Sequence, residues 1–263
     1  MSWFKTGYEA ADHAYDDLPR SGPRRVWLPE ETTGRFLFLE DDPSCFWEHQ
    51  FQVNDSWKNW EPCKRNNKME SVCAICDRFP DRKPSFIGYH TVISLTPWTD
   101  KNGNTWCFGR QMFGAKLGGS DKPGVLKKLQ RIKAKYGRMR GLVIDSYRAG
   151  KKVESVGDEL DVIEQIDPDA VVAWVKSQLP DHIDLINRNR EEGKEMTVES
   201  FVKRNPIEPF NFEEIIKPRT NAELLSMLGG PRTQSASYSN NTGSGGSRNN
   251  EPDQSALDED VPY

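Results

Sequence analysis

Short runs of apolar and β-branched residues recur along the middle of the chain, and polar or turn-forming residues separate them. The first run is Arg-Phe-Leu-Phe-Leu at 35–39. Runs of this length and composition are typical of β-strands. Five or six such runs predict a small β-barrel. They occupy residues 35–39, 45–53, 86–96, 105–113, 141–147 and 162–166.

One connection between these runs predicts a hairpin. Residues 100–104 are Asp-Lys-Asn-Gly-Asn, and an Asn-Gly pair readily adopts the positive φ angles of a tight turn. The strands on either side are therefore predicted to be antiparallel neighbours.

Three segments carry helix signals. Apolar residues recur with helical spacing over 121–137, Asp167-Pro168 is typical of a helix start, and residues 220–223 form a capping box. The other face of the first helix is basic, as exposed helix faces commonly are, so it is as consistent with a solvated surface as with a ligand path. Its cations are Lys127, Lys128, Arg131 and Lys135.

The composition divides the chain into three parts. Residues 1–30 are polar and irregular and are predicted to form an N-terminal arm. Residues 31–230 hold the strand-like runs, with a helical elaboration at 167–230, and are predicted to form the folded core. Residues 231–263 are rich in Ser, Asn and Gly. Such a segment has too few apolar side chains to offset the entropy of ordering, so a disordered tail is expected.

The formal net charge of −4 conceals a strong segregation of charge. Residues 101–152 carry fourteen Lys and Arg against two acids, whereas residues 153–230 carry seventeen acids against eight bases. The tail adds five acids and two bases. A local basic segment attracts phosphate whatever the sign of the whole chain. The middle of the chain therefore favours a polyanionic partner.

Three cysteines in one polar loop have the spacing of a metal site. Cys63 is followed by nine residues, then Cys73, two residues and Cys76, and a Cys-x-x-Cys pair can chelate one tetrahedral ion. The fourth ligand is assigned to His49, on the strand that enters the loop. The loop with its metal is placed at 49–80. Cys45, His90 and Cys107 are the alternative fourth ligands, in that order.

The expected ion is a single Zn²⁺, because thiolates and imidazole are its usual protein ligands. Four protein ligands close its coordination shell and leave no position for water or substrate. The metal is therefore predicted to be structural.

Several classes of protein are disfavoured. No GxxxxGK[ST] phosphate loop and no compact acidic cluster for catalytic metals is found, so no enzymatic activity and no small-molecule substrate are expected. No apolar run approaches the roughly 20 residues of a membrane-spanning helix, and the N-terminus lacks a signal-peptide pattern. The five cysteines favour metal binding over disulfides, so a cytoplasmic protein is expected.

The order of these features resembles the helix-destabilising single-stranded DNA-binding protein of T-even bacteriophages. The shared pattern is the 35–39 strand, His49, the three loop cysteines and then aromatic and basic strands, over roughly residues 33–165. The resemblance implies an oligonucleotide-binding (OB) fold, a five-stranded Greek-key barrel, with an inserted zinc loop. It also implies a protein that coats single-stranded DNA during replication, recombination and repair, in the host cytoplasm if the gene is phage-borne. His49 is displaced by about one residue from the family's pattern, and the acidic residues of the arm depart from its basic arm.

The family's DNA cleft implies contacts from the strands that follow the zinc loop. The residues there are Arg82, Lys83, Phe86, Tyr89, Trp106, Phe108, Arg110, Phe113 and Lys116. Cations along a phosphate path and rings for exposed bases are what sequence-tolerant binding of a single strand requires. Eight rings cluster around the zinc loop and the central strands: Trp57, Trp60, Phe86, Tyr89, Trp98, Trp106, Phe108 and Phe113. Since alternate residues of a strand face the core, only about three to five of these eight are expected to touch DNA.

The last residues resemble the tip of bacterial single-stranded DNA-binding proteins, which end in acids, Pro and an aromatic residue. The tip here is Asp258, Glu259, Asp260, Val261, Pro262 and Tyr263. The resemblance implies that the tail recruits replication or recombination proteins such as a polymerase, helicase or primase. The competing interpretation of the whole chain is a zinc-ribbon transcription or replication accessory factor that binds duplex DNA or protein.

Overall fold

The computed structural model describes residues 23–53, 56–99, 105–119, 122–187 and 195–228. Its strands are β1 (Thr32–Phe38), β2 (Ser44–Val53), β3 (Ser56–Pro62), β4 (Ser85–Ser94), β5 (Trp98–Thr99), β6 (Thr105–Trp106), β7 (Arg110–Lys116), β8 (Leu142–Arg148) and β9 (Glu159–Gln165). Its helices are α1 (Ala74–Arg78), α2 (Val125–Tyr136), α3 (Val171–Asn187), α4 (Val198–Arg204), α5 (Phe212–Ile215) and α6 (Asn221–Met227). No helix in these ranges is long and apolar enough to cross a bilayer.

Seven strands form one antiparallel sheet in the order β3-β2-β4-β1-β8-β9, and β7 pairs with β4. Strands β2 and β1 lie end to end along one edge of β4, opposite residues 85–89 and 92–94, while β7 takes the other edge. Within the described residues no pairing joins β9 to β3 or β7, so the sheet is open. The prediction of a β-rich fold with added helices is confirmed, but the closed OB barrel is not.

Alternating residues of the strands give the sheet two buried faces. Phe36 and Phe38 of β1 pack beneath α2, whereas Leu37 of β1 and Leu39, just after the strand, pack against α3. We call these the α2 face and the α3 face. Because the side-chain period of a strand is two, the position of a residue along its strand decides whether its side chain lies on the α2 face or the α3 face.

Residues 206–220 cross the α3 face and are called here the C-terminal strap. Phe212 of the strap packs with Tyr89 and Met112, and the backbone N–H of Phe210 donates to Thr91 Oγ1 at 2.8 Å. The strap ends at α6, whose Thr220 to Glu223 capping box is present as predicted. The strap therefore covers the part of the α3 face that β4 and β7 form.

Two boundaries differ from the sequence-based expectations. The run at 105–113 is divided between β6 and β7, because Phe108 adopts a positive φ of 57° that ends the ladder. Residues 23–30 of the predicted arm lie on the core: Val26 is buried, and its N–H donates to the carbonyl of Met112 at 2.8 Å. The predicted turn at 100–104 lies outside the described residues, while β5 and β6 pair antiparallel as expected.

Candidate metal centre and adjoining cleft

His49, Cys63, Cys73 and Cys76 converge at one end of the α2 face. Their ligand atoms all lie within 4.8 Å of one another. His49 Nε2 is 3.5 Å from Cys73 Sγ and 3.3 Å from Cys76 Sγ, and the sulfurs of Cys63 and Cys76 are 3.6 Å apart. These four residues could hold one metal ion, as the sequence predicted.

The spacing of these atoms fits a tetrahedral ion. Bonds of about 2.3 Å to sulfur and about 2.0 Å to nitrogen place tetrahedral ligands roughly 3.5–3.8 Å apart. Three of the six separations, at 3.3 to 3.6 Å, lie near that range, and all six are within 4.8 Å. The donor set of three thiols and one imidazole is that of a closed structural site.

Local hydrogen bonds bring the ligands together. Cys63 follows β3 directly, and its N–H donates to the carbonyl of Trp47 on β2 at 2.8 Å. The Asn67 side chain bonds both backbone groups of Trp47 at 2.8 Å, which ties the loop to the strand that carries His49. Cys73 is the N-cap residue of α1, and Cys76 lies one turn later. Residues three apart on a helix share a face, so both sulfurs point to the same ion position.

The pKa values of the three thiols show how metal binding is coupled to their ionisation. Burial raises the pKa of Cys63 and of Cys76. Burial is the largest influence on Cys73 as well and opposes its ionisation, but the hydrogen bonds of the His49 side chain and of the Cys76 and Lys64 backbone together lower the pKa of Cys73. Three thiolates this close repel one another. Complete deprotonation of the cluster therefore requires a bound cation, which is the usual coupling of metal binding to proton release.

The alternative fourth ligands lie elsewhere. Cys45 is exposed on β2, His90 is buried in β4 beside Glu40, and Cys107 is buried with its sulfur directed at the carbonyl of Ser94. None belongs to the four-residue cluster. His49 is therefore confirmed as the fourth member.

Helix α6 supports the metal loop from outside. The Asn221 side chain accepts the N–H of Ala74 at 3.0 Å and donates to Glu70 at 2.8 Å. Leu224 is fully buried against Cys63 and Cys73. The C-terminal end of the described chain is thus part of the metal subdomain.

A cleft of about 400 Å³ adjoins the metal centre. Its walls include the rings of Trp47 and Phe79, and its rim carries the cations Arg65, Arg82 and Lys83. Arg82 lies over the Phe79 ring at 5.3 Å, and the Trp47 ring meets the edge of Phe86 at 5.3 Å. Arg65 is paired with Asp77 at 2.6 Å. We call this site the metal-side cleft.

The nine residues that the resemblance implied as DNA contacts lie in different parts of the structure. Arg82 and Lys83 are exposed at the metal-side cleft, and Phe86 is half-buried beside it. Tyr89 and Phe113 are 1% and 0% exposed and form part of the core, so neither ring offers a face to a base. The expectation that these two rings stack on DNA is therefore wrong.

Three of the other implied contacts, Phe108, Arg110 and Lys116, do not converge with the metal-side cleft. Phe108 packs against α3 and α4, and Arg110 lies over the Phe210 ring of the strap at 4.4 Å and donates to the carbonyl of Glu208. Lys116 is opposite Ile87, on the α3 face. Trp106 forms the short strand β6, and its side chain lies outside the described part. The tail residues 258–263 lie outside the described ranges as well.

Sequence reasoning missed three residues of the cleft. Trp47, Phe79 and Arg65 were not singled out, because each precedes or lies within the metal loop rather than on the strands that follow it. The available signal was their position within three residues of a metal ligand, since Trp47 precedes His49, Arg65 follows Cys63 and Phe79 follows Cys76.

A second cavity of about 300 Å³ lies on the same face, between α2 and strands β2 and β4. His90 forms part of its wall, and Glu40 lies behind that ring with its Oε1 3.9 Å from His90 Nδ1. Glu40 also accepts the N–H of Thr91. Burial raises the pKa of Glu40 to about 7 and lowers the pKa of His90 to about 4. We call this site the α2 cavity.

The raised pKa of Glu40 predicts a pH-dependent stability. A carboxyl whose pKa is raised by folding stabilises the folded state fully below its unfolded pKa, and this stabilisation is lost as the pH rises through its folded pKa. For Glu40 the ordinary pKa is 4.5 and the folded pKa is about 7. As the pH rises from 5 to 8, the unfolding free energy of Glu40→Gln should therefore increase relative to that of wild type by roughly 2–3 kcal/mol. Urea denaturation of both proteins at four pH values measures this. His90 titrates in both proteins and its effect cancels; parallel pH profiles would contradict the assignment.

No protein-family model and no curated protein sequence matches this chain significantly. The resemblance to the T-even proteins rests on the residue pattern alone.

Proposed function

We propose that this protein binds single-stranded DNA without sequence specificity, as a coating protein of DNA replication, recombination and repair. One observation carries the proposal: the metal-side cleft sets two aromatic rings, Trp47 and Phe79, beside the exposed cations Arg82 and Lys83. Stacking on a ring suits every base, and a cation attracts every phosphate. A site of this composition favours a single strand, whose bases are free to stack.

The metal in this proposal is one structural Zn²⁺ held by His49, Cys63, Cys73 and Cys76. The chemistry of three thiolates and an imidazole favours zinc. When bound, zinc neutralises the thiolates and fixes the loop that carries Phe79, Arg82 and Lys83. Reduced thiols are needed for this, so we place the protein in the cytoplasm, the compartment in which thiols stay reduced.

The test is a fluorescence titration that uses the tryptophans as reporters, with a poly-dT strand and a duplex of equal length at two salt concentrations. The single strand should bind more tightly, and its log affinity should fall with log salt by roughly 0.7 per phosphate contacted. A duplex that binds equally well or better would overturn the proposal and favour the accessory-factor alternative. A flat salt response would exclude phosphate contacts.

The tail at 231–263 supports a second activity within the same proposal. Its tip carries three consecutive acids before Val261, Pro262 and Tyr263. An acidic tip can compete with phosphates for the cleft, and once DNA displaces it, its acids and Tyr263 can occupy a basic pocket on a polymerase, helicase or primase.

Truncation before Leu257 should therefore have opposite effects on two activities. The affinity for single strands should rise at low salt, because a competing anion is removed, and co-purification with replication proteins should be lost. Titration with poly-dT and pull-down from the natural host measure the two effects. If affinity and partners are both unchanged, the tail has only a solubilising role.

A further inference from the structure

The α2 cavity is a second concave site on the face that carries the metal-side cleft. Its apolar wall includes Phe86, Leu126, Leu129 and Met139, and the exposed residue Cys45 lies among its lining. A volume of about 300 Å³ is at the lower end of the range for small-ligand sites, about 300–1,000 Å³. The cavity has room for one planar heterocycle.

One polar atom in this wall lacks a partner. His90 is 1% exposed, and its Nδ1 makes no hydrogen bond within the described structure. The nearest carboxylate oxygen, Glu40 Oε1, is 3.9 Å away, beyond hydrogen-bonding distance. Buried ring nitrogens are normally paired, because an unpaired one loses its bonds to water without replacement. Glu40 Oε2 is also buried without a hydrogen bond, so His90 Nδ1 and this carboxyl form one enclosed polar pair behind the cavity wall.

The two sites are neighbours along one face. Phe86 lines the α2 cavity, and the same ring meets Trp47 of the metal-side cleft at 5.3 Å. Lys127 and Lys133 of α2 lie at the α2 cavity with Asp41 and Asp42, and Lys133 is paired with Asp42. A ligand that passes from one site to the other meets Lys127 at one end, Arg82 and Lys83 at the other, and two rings between them.

We propose that the α2 cavity receives one unstacked nucleobase of the single strand bound in the metal-side cleft. The apolar wall contacts the face of the base, and Lys127 attracts a flanking phosphate. This inference rests on the proposed function, since it takes the bound strand as given. It adds a second contact point that sets the path of the strand beneath α2.

The test compares a normal strand with one that lacks bases. The strands are an oligo-dT of about eight nucleotides and an abasic backbone of the same length. Cys45→Trp should fill the cavity from an exposed position on β2. Ile163→Trp, at an exposed position on the edge strand β9, is the matched control.

Wild type should bind oligo-dT more tightly than the abasic strand. Cys45→Trp should weaken oligo-dT binding about tenfold, the scale of one lost base contact, and leave abasic binding unchanged; Ile163→Trp should change neither. If Cys45→Trp weakens both strands equally, or neither, the base pocket is wrong while the proposed function stands. If wild type binds neither strand, the proposed function itself is wrong, and the base pocket is wrong with it.

Cys45 in the wild-type chain gives an independent measurement. Oligo-dT should slow its alkylation by N-ethylmaleimide several-fold, whereas the abasic strand should not. Equal alkylation rates with both strands would overturn the proposal without any variant. Equal alkylation rates are also the result expected if the cavity binds a peptide or a lipid, because neither occupant would make the alkylation of Cys45 depend on the bases of a DNA strand.

Discussion

Cys73→Ser is expected to abolish stoichiometric metal binding and, with it, most of the affinity for single-stranded DNA. The substitution removes one of four ligands from a buried cluster, and metal binding in such sites contributes about 10–16 kcal/mol to folding of the smallest zinc domains. The cleft residues Phe79, Arg82 and Lys83 follow the last ligand directly. Elemental analysis should fall from one ion per chain to nearly none, and titration with oligo-dT should show the loss of affinity.

Two controls make this prediction specific. Cys107→Ser removes a buried thiol that does not belong to the cluster and should retain the metal. His49→Ala should lose the metal as Cys73→Ser does, whereas His90→Ala should keep it. Firm metal binding in His49→Ala, or metal loss in His90→Ala, would show that the fourth ligand has been misassigned.

The double variant Arg82→Glu/Lys83→Glu is expected to reduce affinity for single strands at least tenfold at low salt. Both side chains are exposed, so the fold should be unaffected. If each cation contacts one phosphate, the slope of log affinity against log salt should shrink by about 1.4. The loss should be similar for all base compositions, because phosphate contacts carry no sequence information.

The matched control is Arg131→Glu/Lys135→Glu, which changes the net charge equally on the exposed side of α2. It should have a much smaller effect. Equal losses in the two double variants would mean that overall charge, rather than the metal-side cleft, determines binding.

The sequence was most informative where a local pattern decides the structure. Helical spacing located α2, the capping box located α6, and the cysteine spacing with His49 located the metal cluster. Each of these signals lies within a few turns or one loop. The strand β3 and the short helix α1 were missed because both occur inside the polar metal loop.

The sequence could not show which of the predicted DNA contacts are accessible, and the reason is physical. Alternation along β4 and β7 shows that two faces exist, but it does not show which of them remains accessible. That depends on the strap, whose Phe210 and Phe212 lie more than 90 residues from Arg110 and Tyr89 in sequence and cover them in the fold. Among the predicted contacts whose side chains the structure describes, Arg82, Lys83 and Phe86 lie on the side that the metal loop leaves open.

Ultraviolet crosslinking of oligo-dT to the metal-loaded protein, followed by mass spectrometry of the peptides, tests the central claim most directly. The account predicts crosslinks at Trp47, Phe79 and Phe86, on either side of the metal loop, and their loss in Arg82→Glu/Lys83→Glu. Crosslinks confined to β6 and β7, or to the strap, would contradict it and place the DNA on the α3 face.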